Sequence, residues 1–449
     1  MNKSNESNQL KKEISLLQAT LLVVGIVIGS GVFFKPASVF KNAGAPGMGI
    51  IVWIVGAILT ICGALSISEI GAAIPKTGGL FTYLRELYGK QIAFLLGWVQ
   101  VLVYYPGLCA ALAVIVATQS TTFVPLNNYQ QKILAVALLL FITAIDVVST
   151  KFATKFSSLC TIAKLIPIFV IVIAGFAMGT VHDFTPMVTE KSTSAGFGAA
   201  LMGVLFAFEG WVAVSNLSGE MKNPIKDFPK AIILGLGIVT IAYLGVNLAI
   251  LNTMPIDSIS ASQKAASDAS AILFGKSGEI LVAVGILISI IGCLSALLIT
   301  AGRVPYAMAA DKLFIFEGFF GKVSDKFGTP ANATLFEGVL ACIYALSGSF
   351  NTLTDLAIFV IWMFFILGIA GVFVLRTKRK DLIKPDTYKV PLYPIIPIIG
   401  IVGAVYVVIN TLITNPTNAL FGIGVTIIGI PVYFYIRKTN AKDDQIIST

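Results

Sequence analysis

The sequence predicts an all-α membrane protein with twelve transmembrane helices. Three observations lead there. Of 449 residues, 57% are apolar and only 12% are charged, against about 45–50% and about 25% in soluble globular domains. Uncharged runs of span length recur along the chain, and about 20 apolar residues cross a bilayer as a helix. Two of the expected spans carry a helix breaker at mid-depth. The same composition excludes disordered, collagenous and disulfide-stapled classes.

The first span is 14–34. No charged leader with a cleavage site precedes it, so it reads as a retained helix and not a signal peptide. The second is 47–68. The uncharged stretch 91–131 holds the third helix and an outer loop. Helices 4 to 7 fall near 131–147, 156–178, 194–219 and 230–254, and helices 8 to 10 near 280–302, 332–350 and 356–375. Helices 11 and 12 share 390–436, around the turn Thr414-Asn415-Pro416-Thr417-Asn418.

Lysine and arginine orient such a bundle. With the N-terminus inside, the cytoplasmic segments hold 24 of the 31 basic residues, six of them between Arg376 and Lys389. Lys35, Lys41, Lys132, Lys191, Lys264 and Lys276 fall outside, and Lys164 lies within a span. Both termini are therefore expected in the cytoplasm of a plasma-membrane protein. The net charge of +9 is read as serving orientation and anionic lipid, not nucleic acid. Cys62, Cys109, Cys160, Cys293 and Cys342 all sit in expected helices without a CxxC pair and read as small buried residues. The single histidine, His182, lies in an outer loop, and no HExxH, Walker motif or metal-ligand cluster is present. No metal and no cofactor are expected. No nucleophile–base–orienter set is legible, so the chain is not read as an enzyme.

Chemistry enters at the two breakers. Gly29-Ser30-Gly31 lies about 22 Å along helix 1, near the midplane. Glycine weakens the helix there, and the serine hydroxyl offers a competing hydrogen bond. Helix 6 holds Phe208-Glu209-Gly210-Trp211 at its middle, with an acid where lipid tolerates none. Helices 1 and 6 are five apart, and interrupted helices at matching positions in two halves point to an inverted-repeat transporter with a midplane site. Helix 1 resuming after Gly31 presents free N–H groups to a carboxylate. The first half of helix 6 ends near Phe208 and presents carbonyls to an ammonium. Together they fit the zwitterion of an amino acid.

Several stretches then carry a resemblance. Gly25-Ile26-Val27-Ile28-Gly29-Ser30-Gly31-Val32-Phe33 resembles the helix 1 signature of the amino acid–polyamine–organocation superfamily. Ile74-Pro75-Lys76-Thr77-Gly78-Gly79-Leu80-Phe81 is similar to the first inner loop of its L-amino-acid transporter family. Phe206-Ala207-Phe208-Glu209-Gly210-Trp211, Gly219-Glu220-Met221-Lys222-Asn223-Pro224 and Val390-Pro391-Leu392-Tyr393-Pro394 match that family's helix 6, the following loop and the start of helix 11. The chain also resembles bacterial members of that family such as the serine/threonine and alanine–serine–cysteine exchangers.

The resemblance implies a LeuT-type fold: a first inverted repeat over 14–178, a second over 194–375, helices 11–12 over 390–437, and tails 1–13 and 438–449. It implies sodium-independent exchange of neutral L-amino acids by alternating access. Animal members join a heavy subunit through a cysteine in the loop between helices 3 and 4. Gln119 to Tyr129 has no cysteine, so no disulfide-linked subunit is expected. Carried onto matching positions, Gly29 lies in the break and Ser30 and Gly31 offer N–H groups to the substrate carboxylate. Carbonyls of Ile26, Phe206, Ala207 and Glu209 accept from its amine. Phe206 closes over the substrate from outside, and Tyr243 lies near the site. Ordinary packing is the alternative for both rings.

Lys164 lies about 12 Å in from the inner end of helix 5. Snorkelling is one reading. The other is an ammonium bonded to the loosened backbone near Gly25, standing where sodium-coupled relatives of the fold hold a sodium ion. Glu209 is read as an acceptor for the substrate amine, for Trp211 or for a neighbouring helix, or as a structural strut. Glu69, Asp146, Glu337 and Asp355 lie near span ends and read as interfacial, and Glu220 with Lys222 as a solvated loop pair. The rival functions are a proton-coupled symporter titrating Lys164 or Glu209, and a membrane amino-acid sensor.

Overall fold

A computed structural model describes residues 10, 12–121, 123–262, 264–347, 350–414 and 416–447, with side chains for all but 279, 350–352, 354–356 and 440–447. The expected tails 1–13 and 438–449 fall partly outside the described residues. So do Thr122 of the outer loop, Asn415 of the last turn and the side chain of Asp355.

The first expected span is two helices, α1 (Leu16–Val27) and α2 (Gly31–Ala43), bent by 44° across the break. A capping box starts α1: Ser15 Oγ accepts from Gln18 N at 3.3 Å, and Gln18 Oε1 accepts from Ser15 N at 3.0 Å. α3 is Pro46–Ala73 and α4 is Gly79–Tyr88. α5 (Lys90–Val99) runs through a π-helical turn, Gln100–Tyr104, into α6 (Tyr105–Ser120). α7 is Asn128–Val148 and α8 is Thr150–Met178. α9 (Ser194–Ala207) stops at Phe208, Gly210 adopts φ 102°, and the chain continues as a 3-10 helix, Trp211–Glu220. The second half of helix 6 is therefore wound more tightly than an α-helix.

α10 is Pro224–Thr253, and the short α11 (Ile256–Ala261) and α12 (Ala265–Phe274) precede α13 (Lys276–Ala301). α14 (Arg303–Ala310) and α15 (Glu317–Phe320) lead to α16 (Ala331–Ser347). α17 (Phe350–Lys378), α18 (Ile395–Thr414) and α19 (Pro416–Ile447) complete the order. Among the described residues, ten helices are long and apolar enough to cross a membrane, up to eleven with the bent pair. The remaining expected span is α16, whose 17 residues stand at the lower edge of span length. α10 packs along α1 and α3, α9 along α2, and α13 along α8. α18 and α19 flank α17 from outside this group. Both broken segments thus sit in the middle of the bundle.

Four acids expected at interfaces or in solvent are buried instead. Glu69 binds Arg376 in two-pronged fashion, both N···O distances 2.7 Å, and accepts from Val390 N at 2.7 Å. Glu220 pairs with Arg303, not with Lys222: Nε to Oε1 is 2.8 Å and Nη2 to Oε2 is 3.0 Å. Asp146 and Glu337 are 1% and 0% exposed. Asp146 shares the inward stripe of α7 with Ala135, Leu139, Ile142 and Thr143. Glu337 precedes Gly338, whose missing side chain lets α16 close on Thr143. In each case the residue's lateral face, and not its depth alone, decides its surroundings.

Candidate functional site

The two breaks face each other across a cavity of 60 Å³, room for roughly four to six waters. Gly29, Ser30 and Gly31 line it from the first break with Ile26 and Val27. Phe206, Ala207, Glu209 and Gly210 line it from the second. Leu108, Ala111 and Leu112 of α6, and Cys293 and Leu297 of α13, close the sides. The breaks touch directly: a Cβ on Gly31 would fall 2.8 Å from Ala207 Cα.

At the first break the N–H groups of Ser30, Gly31 and Val32 have no backbone partner among the described residues, since α2 begins with Phe33 and Phe34 donating to Ser30 O. They and the helix dipole make a seat for a negative group. The carbonyls that α1 leaves behind are gathered by its neighbours. Lys164, wholly buried on α8, donates to Gly25 O at 2.8 Å and Ile28 O at 2.5 Å. Ser289 Oγ lies 3.1 Å from Ile28 O and 3.2 Å from Gly29 O. Cys293 Sγ lies 3.0 Å from Ile26 O. Gly25 has to be small, because a Cβ there would meet Thr161 Oγ1 at 2.5 Å.

Tyr243, on α10, stands between the breaks. Its hydroxyl is 2.8 Å from both Val27 O and Ala207 O, and donates to one at a time. Trp53 and Phe208 pack edge-on or tilted against its ring, at 5.5 and 5.0 Å between centroids. Ala207 O is thus partly engaged, and Phe206 O accepts from Glu209 N at 3.0 Å. Each carbonyl keeps a second lone pair for a ligand. The Glu209 carboxylate is held by Tyr104 Oη at 3.1 Å and Trp362 Nε1 at 2.9 Å. Of the partners considered from sequence, a neighbouring helix is the one present, and Trp211 is not. Phe206 is half-buried, and its ring borders both the central cavity and a second one of 340 Å³.

On the face where α1 begins, the start of α1 is tied to the segment that follows helix 6. Ile14 N donates to Glu220 O at 3.0 Å, and Lys222 N to Ile14 O at 2.9 Å. Arg303 adds a bond from Nη2 to Thr150 Oγ1 at 2.8 Å beside its pair with Glu220.

Sequence reading misses Tyr104, Trp362, Cys293 and Ser289. Aromatic residues in an apolar run carry no mark of their own. Ser289 and Cys293, four apart on one face of α13, are a signal that could have been used.

An all-helical membrane bundle with two interrupted helices meeting at one small cavity defines a transporter. The chain belongs to the amino acid permease family, whose model matches residues 14–434. It is 40% identical to the serine/threonine exchanger SteT of Bacillus subtilis (strain 168), over 97% of this chain and 99% of that one. It is 32% identical to the b(0,+)-type amino acid transporter 1 of Mus musculus, over 87% of this chain and 82% of that protein. The large neutral amino acids transporter small subunit 2 of Mus musculus is 30% identical over 95% and 81%.

Proposed function

We propose that the protein is a sodium-independent exchanger of small neutral L-amino acids in the plasma membrane, with both termini cytoplasmic. The observation that carries the reading is the facing pair of breaks. The N–H groups of Ser30 and Gly31, which have no backbone partner among the described residues, lie on one side and carbonyls of the second break on the other. The substrate carboxylate sits on Ser30 and Gly31, beside Gly29. Its ammonium sits against carbonyls of Ile26, Phe206, Ala207 and Glu209. Tyr243 couples the two breaks, so the ligand that bridges them also fixes their separation. The small cavity and its apolar sides from α6 and α13 favour short uncharged side chains, in keeping with what the serine/threonine exchanger's name says of that relative.

Two inverted repeats, 14–178 and 194–375, are proposed to rock against each other, with 390–437 outside them. Lys164 supplies a fixed positive charge between α8 and the end of α1, so the carrier needs no sodium to join them. Phe206 is the gate on the outer side. The pair formed by Ile14 with Glu220 and Lys222, together with Arg303–Glu220, closes the inner side.

The deciding experiment is uptake of labelled serine into reconstituted vesicles, with and without serine inside, sodium and a pH gradient. Uptake that depends on internal serine and ignores sodium is expected. Equal uptake into empty vesicles refutes exchange, and uptake driven by the pH gradient into empty vesicles assigns the protein to symport.

A further inference from the structure

A third cavity, of 170 Å³, lies on the face where α1 begins, and the exchange mechanism above does not use it. Glu13 and Ile14 enter it from the start of α1, Thr150, Lys151 and Thr154 from the first turns of α8, and Glu220 from the end of the 3-10 segment. Thr150, Lys151 and Thr154 are spaced to share one side of α8. Glu13 and Lys151 are exposed, whereas Thr154 is 1% exposed and its hydroxyl has no hydrogen-bond partner among the described residues. The first N–H groups of this 29-residue helix, those of Thr150 and Lys151, have no backbone partner among the described residues either. Ser149 takes up the next two, Oγ accepting from Phe152 N at 3.2 Å and O from Ala153 N at 2.9 Å. Both Glu220 oxygens accept from Arg303, which also donates to Thr150 Oγ1 at 2.8 Å. One wall therefore presents the positive end of α8 with Lys151, and another presents Glu13. A simple anion would meet the carboxylates and a simple cation the helix N-terminus, whereas a ligand with both charges suits both walls.

We infer that this cavity is a regulatory site for a free amino acid whose polar side chain is longer than that of serine, and that its occupation holds the inner side closed. The ligand's carboxylate sits at the start of α8 beside Lys151, its ammonium turns to Glu13, and the end of its side chain meets Thr154. Size separates this site from the central one, at 170 Å³ against 60 Å³. A ligand that fills the smaller volume leaves most of the larger one to water. Ile14 lines the same cavity, and its N and O carry the bonds to Glu220 O and Lys222 N. A ligand joining Glu13 to α8 thus rests on the tie that holds α1 in place. It binds best while these walls are together, and by linkage it stabilises that arrangement. The effect on exchange rests on the exchanger reading, and the binding does not.

The test counts binding of labelled L-glutamine by equilibrium dialysis, on the full-length protein in detergent. Gly31→Val disables the central site, and wild type with excess unlabelled serine provides an independent count. One glutamine per protein is expected in both. Glu13→Gln and Lys151→Gln each remove a charged contact and should weaken that binding about tenfold. Both side chains are exposed, so the fold tolerates the changes. No bound glutamine, or an affinity within about twofold of the parent in both charge variants, overturns the inference. A second arm measures serine exchange in vesicles oriented so that this face meets the lumen. Luminal glutamine at ten times its dissociation constant favours the closed state by a factor of about eleven. It should slow exchange severalfold in wild type and not in Lys151→Gln. Equal slowing in both, or none in wild type, overturns the regulatory role. If wild-type vesicles exchange no serine under any condition, the exchanger reading falls by itself, and the dialysis count still decides the site.

Discussion

Lys164→Ala is the sharpest test of how the broken helix is held. The ammonium makes two bonds to α1 carbonyls, 2.8 Å to Gly25 O and 2.5 Å to Ile28 O. Hydrogen bonds to a charged group contribute about 1.5–3 kcal/mol each. Ile28 O keeps Ser289 when the lysine is gone, whereas Gly25 O loses the partner it has. Recovery of the ammonium's own desolvation offsets part of the loss. The net is about 2–4 kcal/mol withdrawn from the state in which α1 is docked on α8, or roughly 30- to several-hundred-fold in its population relative to any state that lacks the bonds. Exchange passes through both states, so the loss is read as a rate. Serine exchange by Lys164→Ala is expected at a tenth of wild type or less, with weaker apparent affinity at one face and a folded, monodisperse protein in detergent. Wild-type exchange should be the same in sodium and in choline. Wild-type rate and affinity in the variant, or a sodium requirement in the parent, would refute the argument that a fixed cation stands where an ion would otherwise sit.

Three further changes test the site from other sides. Phe206→Ala removes the ring that separates the two cavities, and exchange should drop at least about tenfold with thermal stability little changed, because the ring is only half-buried; transport near wild type would reduce Phe206 to packing. Gly31→Val places side-chain atoms against Ala207, where even a Cβ would lie 2.8 Å from Cα; the breaks must part, and binding of serine, followed by ligand-induced thermal shift, should disappear. Glu220→Gln leaves the wholly buried Arg303 without its counter-charge, at a cost of about 3–5 kcal/mol. The melting temperature should fall, and Glu220→Gln/Arg303→Gln should recover part of it; an unchanged melt for the single variant would show the pair to be dispensable.

Much of the site could be read in advance, and the reason is physical. A glycine pair at mid-span, an acid beside a glycine in an apolar helix, and a lysine with no aqueous end in reach are each costly in lipid. Each needs a compensating neighbour, and the compensation defines the site. That logic brought Gly29 to Gly31, Glu209 with Gly210, and Lys164 to attention, the resemblance added Phe206, Ala207 and Gly25, and the structure places them around one cavity and its supporting backbone. It could not find Tyr104 and Trp362, because an aromatic residue in an apolar run costs nothing and leaves no anomaly. The second half of helix 6 was beyond it for a related reason. Both an α-helix and a 3-10 helix satisfy the backbone internally, and the choice between them follows from contacts with α4, where a Cβ on Gly79 would overlap Ser215 and Asn216.

The misread acids show where depth along a span stops being informative. Glu69, Asp146, Glu220 and Glu337 lie within a few turns of helix ends, so a reading by depth assigns them to water. Yet a helix end in a bundle of this size has neighbours on most sides, and the accessible face is a minority of its circumference. Arg376 reaches Glu69 from α17, and Arg303 reaches Glu220 from the start of α14. Both basic residues count toward the excess that the sequence is expected to place on the inner face, and both are bound to buried acids. Residues expected to orient the chain thus tie helix ends together across the face where α1 begins. Removing such a residue is predicted to have two separable consequences, for orientation and for closure. The Glu220→Gln variant, which changes neither lysine nor arginine, isolates the second.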